Sequence, residues 1–207
     1  MKILAIDTSS TQAGVAVVQE GNVLGKIIIT ATAPRGHGSP NQWKHSQVLI
    51  PAVENLLEQT KVTLLDIHCI AYTCGPGSFT GLRIAAAAAL GLAHGAKIPV
   101  VQVPTLDAMA YAYIAAGHKK VVPMLDARRG QVYAAIYENG KRITDYLAAP
   151  AEEVLLMAGD ALVIKDAVCP AAVGLWAGEN FDKARPTGEL LYVRAPQAVR
   201  EMEKKKA

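Results

Sequence analysis

The sequence predicts an α/β chain of two similar halves, each a mixed sheet flanked by helices, and three observations carry that expectation. A short apolar run ending in aspartate is followed by two more strand-like runs joined at a glycine turn, and the pattern occurs twice. In the first half it reads Ile3 to Ile6, Asp7, Val15 to Val18, Glu20-Gly21-Asn22 and Leu24 to Thr30. In the second it reads Val121 to Leu125, Asp126, Val132 to Tyr137, Glu138-Asn139-Gly140 and Lys141 to Tyr146. Asp7 and Asp126 lie 119 residues apart, and so do Gly21 and Gly140. One offset for two landmarks points to an internal duplication. The third observation is the stretch Gly75-Pro76-Gly77-Ser78-Phe79-Thr80-Gly81-Leu82-Arg83, between the apolar run Ile67 to Tyr72 and an alanine-rich segment. It reads as strand, glycine turn, helix.

Taken in order, the first three runs form an antiparallel meander. Ala33 to Gln42, rich in Pro, Gly, Ser and Asn, predicts a loop. From Lys44 to Gln59 the spacing predicts a helix whose Val48, Leu49, Ile50, Ala52, Val53, Leu56 and Leu57 cover an arc of roughly 200°, about twice the stripe a core-facing surface helix needs. The excess calls for a second partner. Pro51 is tolerated in the first turn of that helix and kinks it if the helix already runs at Gln47. Leu82 to Ala93 has no charge but Arg83, and its Ile84, Leu90 and Leu92 point in different directions, which predicts a helix buried all round. Its cover is either the chain's own sheet or a second protein. Pro99 to Pro104 reads as extended and Thr105 to Ala116 as a helix, which puts a boundary near residues 100 to 105, between a domain of residues 1–102 and a smaller one of residues 103–194. Beyond Pro150, Glu152 to Met157 predicts a helix, Ala161 to Ile164 a strand, Gly174 to Asn180 a loop, and the tail from Gln197 a helix.

The composition, 51% hydrophobic and 19% charged over 207 residues, suits a chain with a sizeable core. The net charge is +3, and the one dense basic run, Lys204 to Lys206, follows Glu201 and Glu203, so charge alone gives no argument for nucleic-acid binding. Three cysteines, Cys69, Cys74 and Cys169, lack metal spacing and fit a reducing cytosol. The first apolar run stops at Asp7, and Ile84 to Ala93 is short for a bilayer, so neither an export signal nor a membrane segment is expected.

The chemistry is sparse. Asp7-Thr8-Ser9 closes the first strand, where ligands gather in open α/β sheets, although Asp7 capping its own turn accounts for the same residues. Gly75 and Gly77 are expected to adopt positive φ or to admit a close approach, by a phosphate or by another stretch of backbone, with Ser78 or Thr80 capping the helix that follows. Asp126, Arg128 and Arg129 open the second half, where an arginine could meet a phosphate, a carboxylate or only a surface acid. None of the five histidines is three or four residues from another, so no helical metal pair is expected, with a composite of His37 and His45 the remote exception. Gly77-Ser78-Phe79-Thr80-Gly81 lacks the glycine two before serine that a nucleophile elbow needs.

With the opening Ile3 to Ser9, the glycine stretch and Asp126-Ala127-Arg128-Arg129-Gly130-Gln131-Val132-Tyr133, the chain resembles the bacterial TsaB (YeaZ) family, relatives of the glycoprotease-like TsaD within the actin-like ATPase superfamily. The likeness runs from residue 1 to Tyr192-Val193-Arg194. Ala85 departs from it, since glycine is common there, as do the Ala33 to Gln42 loop and a short second half. The resemblance implies two actin-like, ribonuclease H-like domains, with a C-terminal helix of about residues 195–207 returning to the first. It implies a non-catalytic, cytoplasmic subunit that pairs with TsaD, and with the ATPase TsaE, to transfer a threonylcarbamoyl group from its adenylate to an adenosine in tRNA. Asp7, Thr8, Ser9, Gly75, Gly77, Asp126 and Arg128 become candidates for a degenerate nucleotide site. Glycine is missing from Asp7-Thr8-Ser9-Ser10, no Gly-Gly adenosine loop appears between Ala171 and Asn180, and the His-x-Glu-x-His metal pair of catalytic relatives reduces to His45. No metal site and no cofactor of its own are therefore expected, with ATP or ADP and Mg held only in the assembled complex and tRNA met only through it. Leu49, Ile50, Val53 and Leu57 on the first helix, with Ile84 and Ala88 on the second, are the candidates for the TsaD interface, and the same face predicts a homodimer in isolation. The alternative is an enzyme, either a metallopeptidase of the glycoprotease type or a small-molecule kinase.

Overall fold

The computed structural model describes residues 1–30, 44–165, 167–183 and 190–193. The Ala33 to Gln42 loop and the C-terminal tail lie outside the described residues. The first sheet contains β1 (Lys2–Asp7), β2 (Gln12–Gln19), β3 (Asn22–Thr30), β4 (Cys69–Gly75) and β5 (Val100–Pro104), in the order β3-β2-β1-β4-β5. β1, β2 and β3 pair antiparallel as the meander predicts, and β4 and β5 continue parallel to β1. Every residue of β4 is buried, as a central strand covered on both faces requires.

Two helices lie on one face: α1 (His45–Thr60) and α2 (Phe79–Ala96). Leu49, Val53 and Leu56 of α1 and Ala85, Ala89 and Ala93 of α2 pack on Leu4, Ile6, Val15, Val17, Ile70 and Tyr72. The other face is covered by α3 (Thr105–Ala115) and α5 (Pro170–Glu179), through Leu106, Met109, Ala171, Val173 and Ala177.

The second sheet is smaller. β6 (Lys120–Arg128) pairs with a broken strand made of β7 (Gln131–Ala134) and β8 (Tyr137–Glu138). These pair in turn with β10 (Leu147–Pro150) and β9 (Lys141–Arg142), while β11 (Leu162–Ile164) lies parallel to β6. α4 (Ala151–Ala158) covers its outer face through Val154 and Ala158. Its inner face gives Val121, Ala135, Tyr137 and Ile164 to the core that already holds α3 and α5. The layers are therefore helices, sheet, helices, sheet, helix, with α3 packed on strands of both sheets and α5 on the first sheet and on α3.

The duplication is visible residue by residue. The β2–β3 turn has positive φ at Glu20 (51°) and Gly21 (79°), and the β8–β9 turn has it at Asn139 (50°) and Gly140 (79°), the pair of left-handed residues that a two-residue hairpin turn needs. β6, β7 with β8, β9 with β10, α4 and β11 repeat β1, β2, β3, α1 and β4. Among the described residues, no strand like β5 follows β11, after which the chain enters α5 at Pro170.

Two expectations need correction, and the open one at Pro51 is decided by where α1 starts. Gly174 to Glu179 belongs to α5, not to a loop: a Cβ on Gly174 would stand 2.7 Å from Val18 Cγ2 and 3.3 Å from Ala5 Cβ, so glycine is there for helix-to-sheet contact. Pro51 lies beyond the first turn of α1, on its exposed side. The second helix is longer than Leu82 to Ala93 and is not buried all round. Leu82, Ala85, Ala86, Ala89 and Ala93 face the sheet, while Arg83, Ala87, Leu90, Gly91 and His94 are exposed. With 18 residues and a mean hydropathy of 1.2, α2 is long and apolar enough to cross a membrane by length and composition alone, a test that core helices also pass.

Candidate functional site

The two sequence motifs of the first half meet. β1 ends at Asp7, and β4 delivers the glycine loop beside it, with Gly75-Pro76 cis and Ser78 at the N-cap of α2, where its Oγ accepts from Gly81 N at 3.3 Å. Of the two capping candidates, Ser78 is the one used. Thr8 Oγ1 donates to Gly81 O at 2.6 Å, and Ser78 N donates to Ser9 O at 2.7 Å. The loop and the Asp7-Thr8-Ser9 turn are thereby joined by one backbone–backbone bond and one from the Thr8 hydroxyl.

The glycines make this approach possible. A Cβ on Gly81 would stand 1.8 Å from Thr8 O, one on Gly77 2.5 Å from Ser9 O, and one on Gly75, whose φ is +119°, 2.3 Å from Leu191 O. Leu191 N also donates to Cys74 O at 2.7 Å, and the Tyr192 ring lies 5.6 Å from Phe79, over which Arg83 stacks at 3.8 Å. The chain's own carbonyls thus lie against all three glycines, where the loop meets the Asp7-Thr8-Ser9 turn and Leu191.

Asp7 is buried and held in place. Its Oδ1 accepts from Ser9 N at 3.1 Å and from Thr73 Oγ1 at 2.7 Å, which makes it the cap of its own turn. Burial pushes its carboxyl above the usual carboxylate range, and the hydrogen bonds from Ser9 and Thr73, with the His45 imidazole, oppose that only in part. Among the described residues, the buried Ser9 and Thr105 hydroxyls have no hydrogen-bond partner.

The counterpart turn of the second half is open. Asp126 Oδ1 accepts from Arg128 N at 2.7 Å, the same aspartate-to-second-residue bond as Asp7 to Ser9, but Asp126, Arg128, Arg129 and Gly130 are all exposed. Asp126 and Arg128 thus share a turn with each other and not with the buried Asp7 motif.

Among the interface candidates, Leu49 and Val53 lie in the chain's own core, 1% and 2% exposed, beneath α1. Ile50 is 37% exposed, and Leu57, Ile84 and Ala88 are half-buried. Sequence reasoning missed Ala87, Leu90 and Gly91, which form the exposed apolar strip of α2. A groove of about 530 Å³ at the end of α2, walled by Leu90, Ala93, His94 and Lys97, continues it toward β5. Sequence also missed Asp107 of α3, whose Oδ1 accepts from Tyr146 at 2.9 Å and from Tyr137, while Arg142 stacks 4.0 Å over Tyr146. Burial pushes the Asp107 carboxyl up, against the two tyrosine hydrogen bonds. Among the described residues, no group of three or more His, Cys, Asp or Glu could hold a metal ion.

Residues 39–165 match the family model described as "TsaD: tRNA N6-adenosine threonylcarbamoyltransferase". The chain belongs to this family, in its TsaB (YeaZ) branch. The tRNA threonylcarbamoyladenosine biosynthesis protein TsaB of Escherichia coli is 40% identical over 144 residues, 68% of this chain and 58% of that one. The TsaB of Bacillus subtilis is 33% identical over 159 residues, 75% of this chain and 63% of that one, so the chain spans roughly three fifths of these curated relatives. An uncharacterised Mycobacterium tuberculosis protein is 34% identical over 95% of this chain and 93% of its own length. The solved YeaZ of Pseudomonas aeruginosa superposes with a TM-score of 0.76 at 25% identity, covering 93% of this chain and 99% of that one.

Proposed function

We propose that the chain is a non-catalytic, cytoplasmic subunit of the complex that forms threonylcarbamoyladenosine in tRNA, pairing with a TsaD transferase and supporting it, with TsaE as a further partner. The observation that carries this reading is the first-half site, where the chain's own carbonyls lie against all three glycines. The residues that would cradle a phosphate are spent on binding each other, so the fold works as a scaffold while the TsaB relatives supply the process. In this reading the chain has no cofactor of its own, and ATP or ADP with Mg is held only in the assembled complex. The exposed strip of α2, with Ile50 of α1 beside the same layer, is the docking face for TsaD, and in its absence the strip pairs with a second copy, since a sizeable apolar patch rarely stays bare.

The test mixes the chain with the TsaD of the same organism and measures assembly by size exclusion, with Ile50→Glu and Leu90→Glu as variants. Burying an apolar side chain at an interface contributes roughly 1.5 to 3 kcal/mol, so an acid there weakens association by at least about tenfold. Both side chains are exposed, so circular dichroism should stay unchanged. No heterodimer with the parent chain, or magnesium-dependent ATP turnover by the chain alone, would overturn the proposal.

A further inference from the structure

The same aspartate turn stands in both halves with opposite surroundings. In the first half the glycine loop closes over Asp7-Thr8-Ser9, and Gly77 and Gly81 admit the Ser9 and Thr8 carbonyls. In the second half no glycine loop follows β11, and the turn from Asp126 to Gln131 meets solvent. Three successive residues at its tip have left-handed φ: Arg128 at 63°, Arg129 at 57° and Gly130 at 72°. Such a turn favours glycine or asparagine, so the backbone does not account for two arginines. Among the described residues, neither guanidinium group has a hydrogen-bond or ion-pair partner. Asp126 accepts the Arg128 backbone N–H, and among the described residues no ion pair within 4 Å joins either arginine to an acid. That holds although Pro150 pairs with Gln131 and the first turn of α4 carries Glu152 and Glu153 nearby.

We infer that the Asp126–Gln131 turn is where this chain itself grips RNA, through Arg128 and Arg129 on backbone phosphates. Guanidinium is the side chain suited to phosphate oxygens, and two on adjacent residues match a repeating polyanion better than one isolated anion. The turn has no ring on which a base would stack, so the contact reads phosphate and not sequence. The inference rests on the proposed role only for the identity of the RNA.

The experiment measures tRNA binding by fluorescence anisotropy against salt, both for the chain alone and for its complex with TsaD, comparing the parent with Arg128→Gly/Arg129→Gly and Arg128→Lys/Arg129→Lys. Glycine accepts the left-handed φ, so the first variant keeps the turn while removing both charges. Loss of two phosphate contacts lowers the slope of log K against log salt by about 1.4 to 1.8. The lysine variant is expected to keep most of the slope. An unchanged slope in the glycine variant overturns the inference, and so does titration with ADP or inorganic phosphate that saturates the turn of the parent chain while leaving tRNA affinity the same. Failure of the parent to assemble with TsaD counts against the proposed function alone, because tRNA binding by the chain is read separately.

Discussion

Gly81 and Thr8 show how much of this molecule turns on one missing Cβ. The Thr8 carbonyl stands where a Gly81 Cβ would be, and Thr8 Oγ1 returns a hydrogen bond to the Gly81 carbonyl, so both polar groups are satisfied in a place closed to water. The expectation that Gly77 admits a close approach holds, and the approaching group is the chain's own Ser9 carbonyl. Asp7 has an electrostatic cost in the same place. Its folded pKa is raised above the ordinary value of 3.8, first by burial. Below pH 3.8 both folded and unfolded chains hold the proton and the penalty is absent. As pH rises from there, the unfolded chain loses the proton first, and folding stability falls until the folded pKa is passed. Asp7→Asn cannot ionise and keeps an oxygen for Thr73. Its stability relative to the parent, from urea unfolding at a series of pH values, should rise across that window and level off above it. A difference that does not change with pH would show that Asp7 is not charged at a cost.

Elements were legible in the sequence where local chemistry sets them. The two hairpins were readable because Gly21 and Asn139-Gly140 are residues that left-handed turns favour, and β4 because an unbroken apolar run suits a strand covered on both faces. α5 was not readable, since Ala171, Ala172, Gly174, Ala177 and Gly178 offer no polar face and the reason for the small Gly174 and Gly178 lies in β1 and β2, distant in sequence. For α1 the arc width was real, but only contacts decide which part faces the sheet, and they bury Leu49 and Val53. α2 allows a direct test of its two faces. A Cβ on Gly91 meets nothing within 4 Å, so Gly91→Ala should stabilise the isolated chain by about 1 kcal/mol through helix propensity. In a chain of this size that raises Tm by about 2 to 4 °C. If a partner helix approaches this strip closely, the same methyl weakens assembly while the melting temperature rises. A variant that is less stable alone would mean that the strip is not free.

At the scale of the whole molecule, the shared middle layer decides how the two halves behave. The cluster around α3 and α5 contains Ile3, Ala5 and Val103 of the first sheet together with Val121, Tyr137 and Ile164 of the second. α3 contacts strands of both sheets and α5 packs on α3, so the two halves share one middle layer. The molecule should therefore unfold as one unit. α5 sits on β1 and β2 at the closest spacing its glycine allows, with Val18 Cγ2 2.7 Å from where a Gly174 Cβ would be. Gly174→Val adds three carbons at a contact walled by a stiff β-branched side chain, and overpacking of this kind costs about 1 to 3 kcal/mol. Because the displaced helix packs on the first sheet and on α3, which in turn contacts the second sheet, the loss should appear as one transition moved to lower temperature, with the same midpoint by far-ultraviolet circular dichroism and by fluorescence of Trp176, which packs against this shared core on α5. Two separated midpoints, with only one of them moved by the substitution, would show that the halves fold independently and that the middle layer does not couple them.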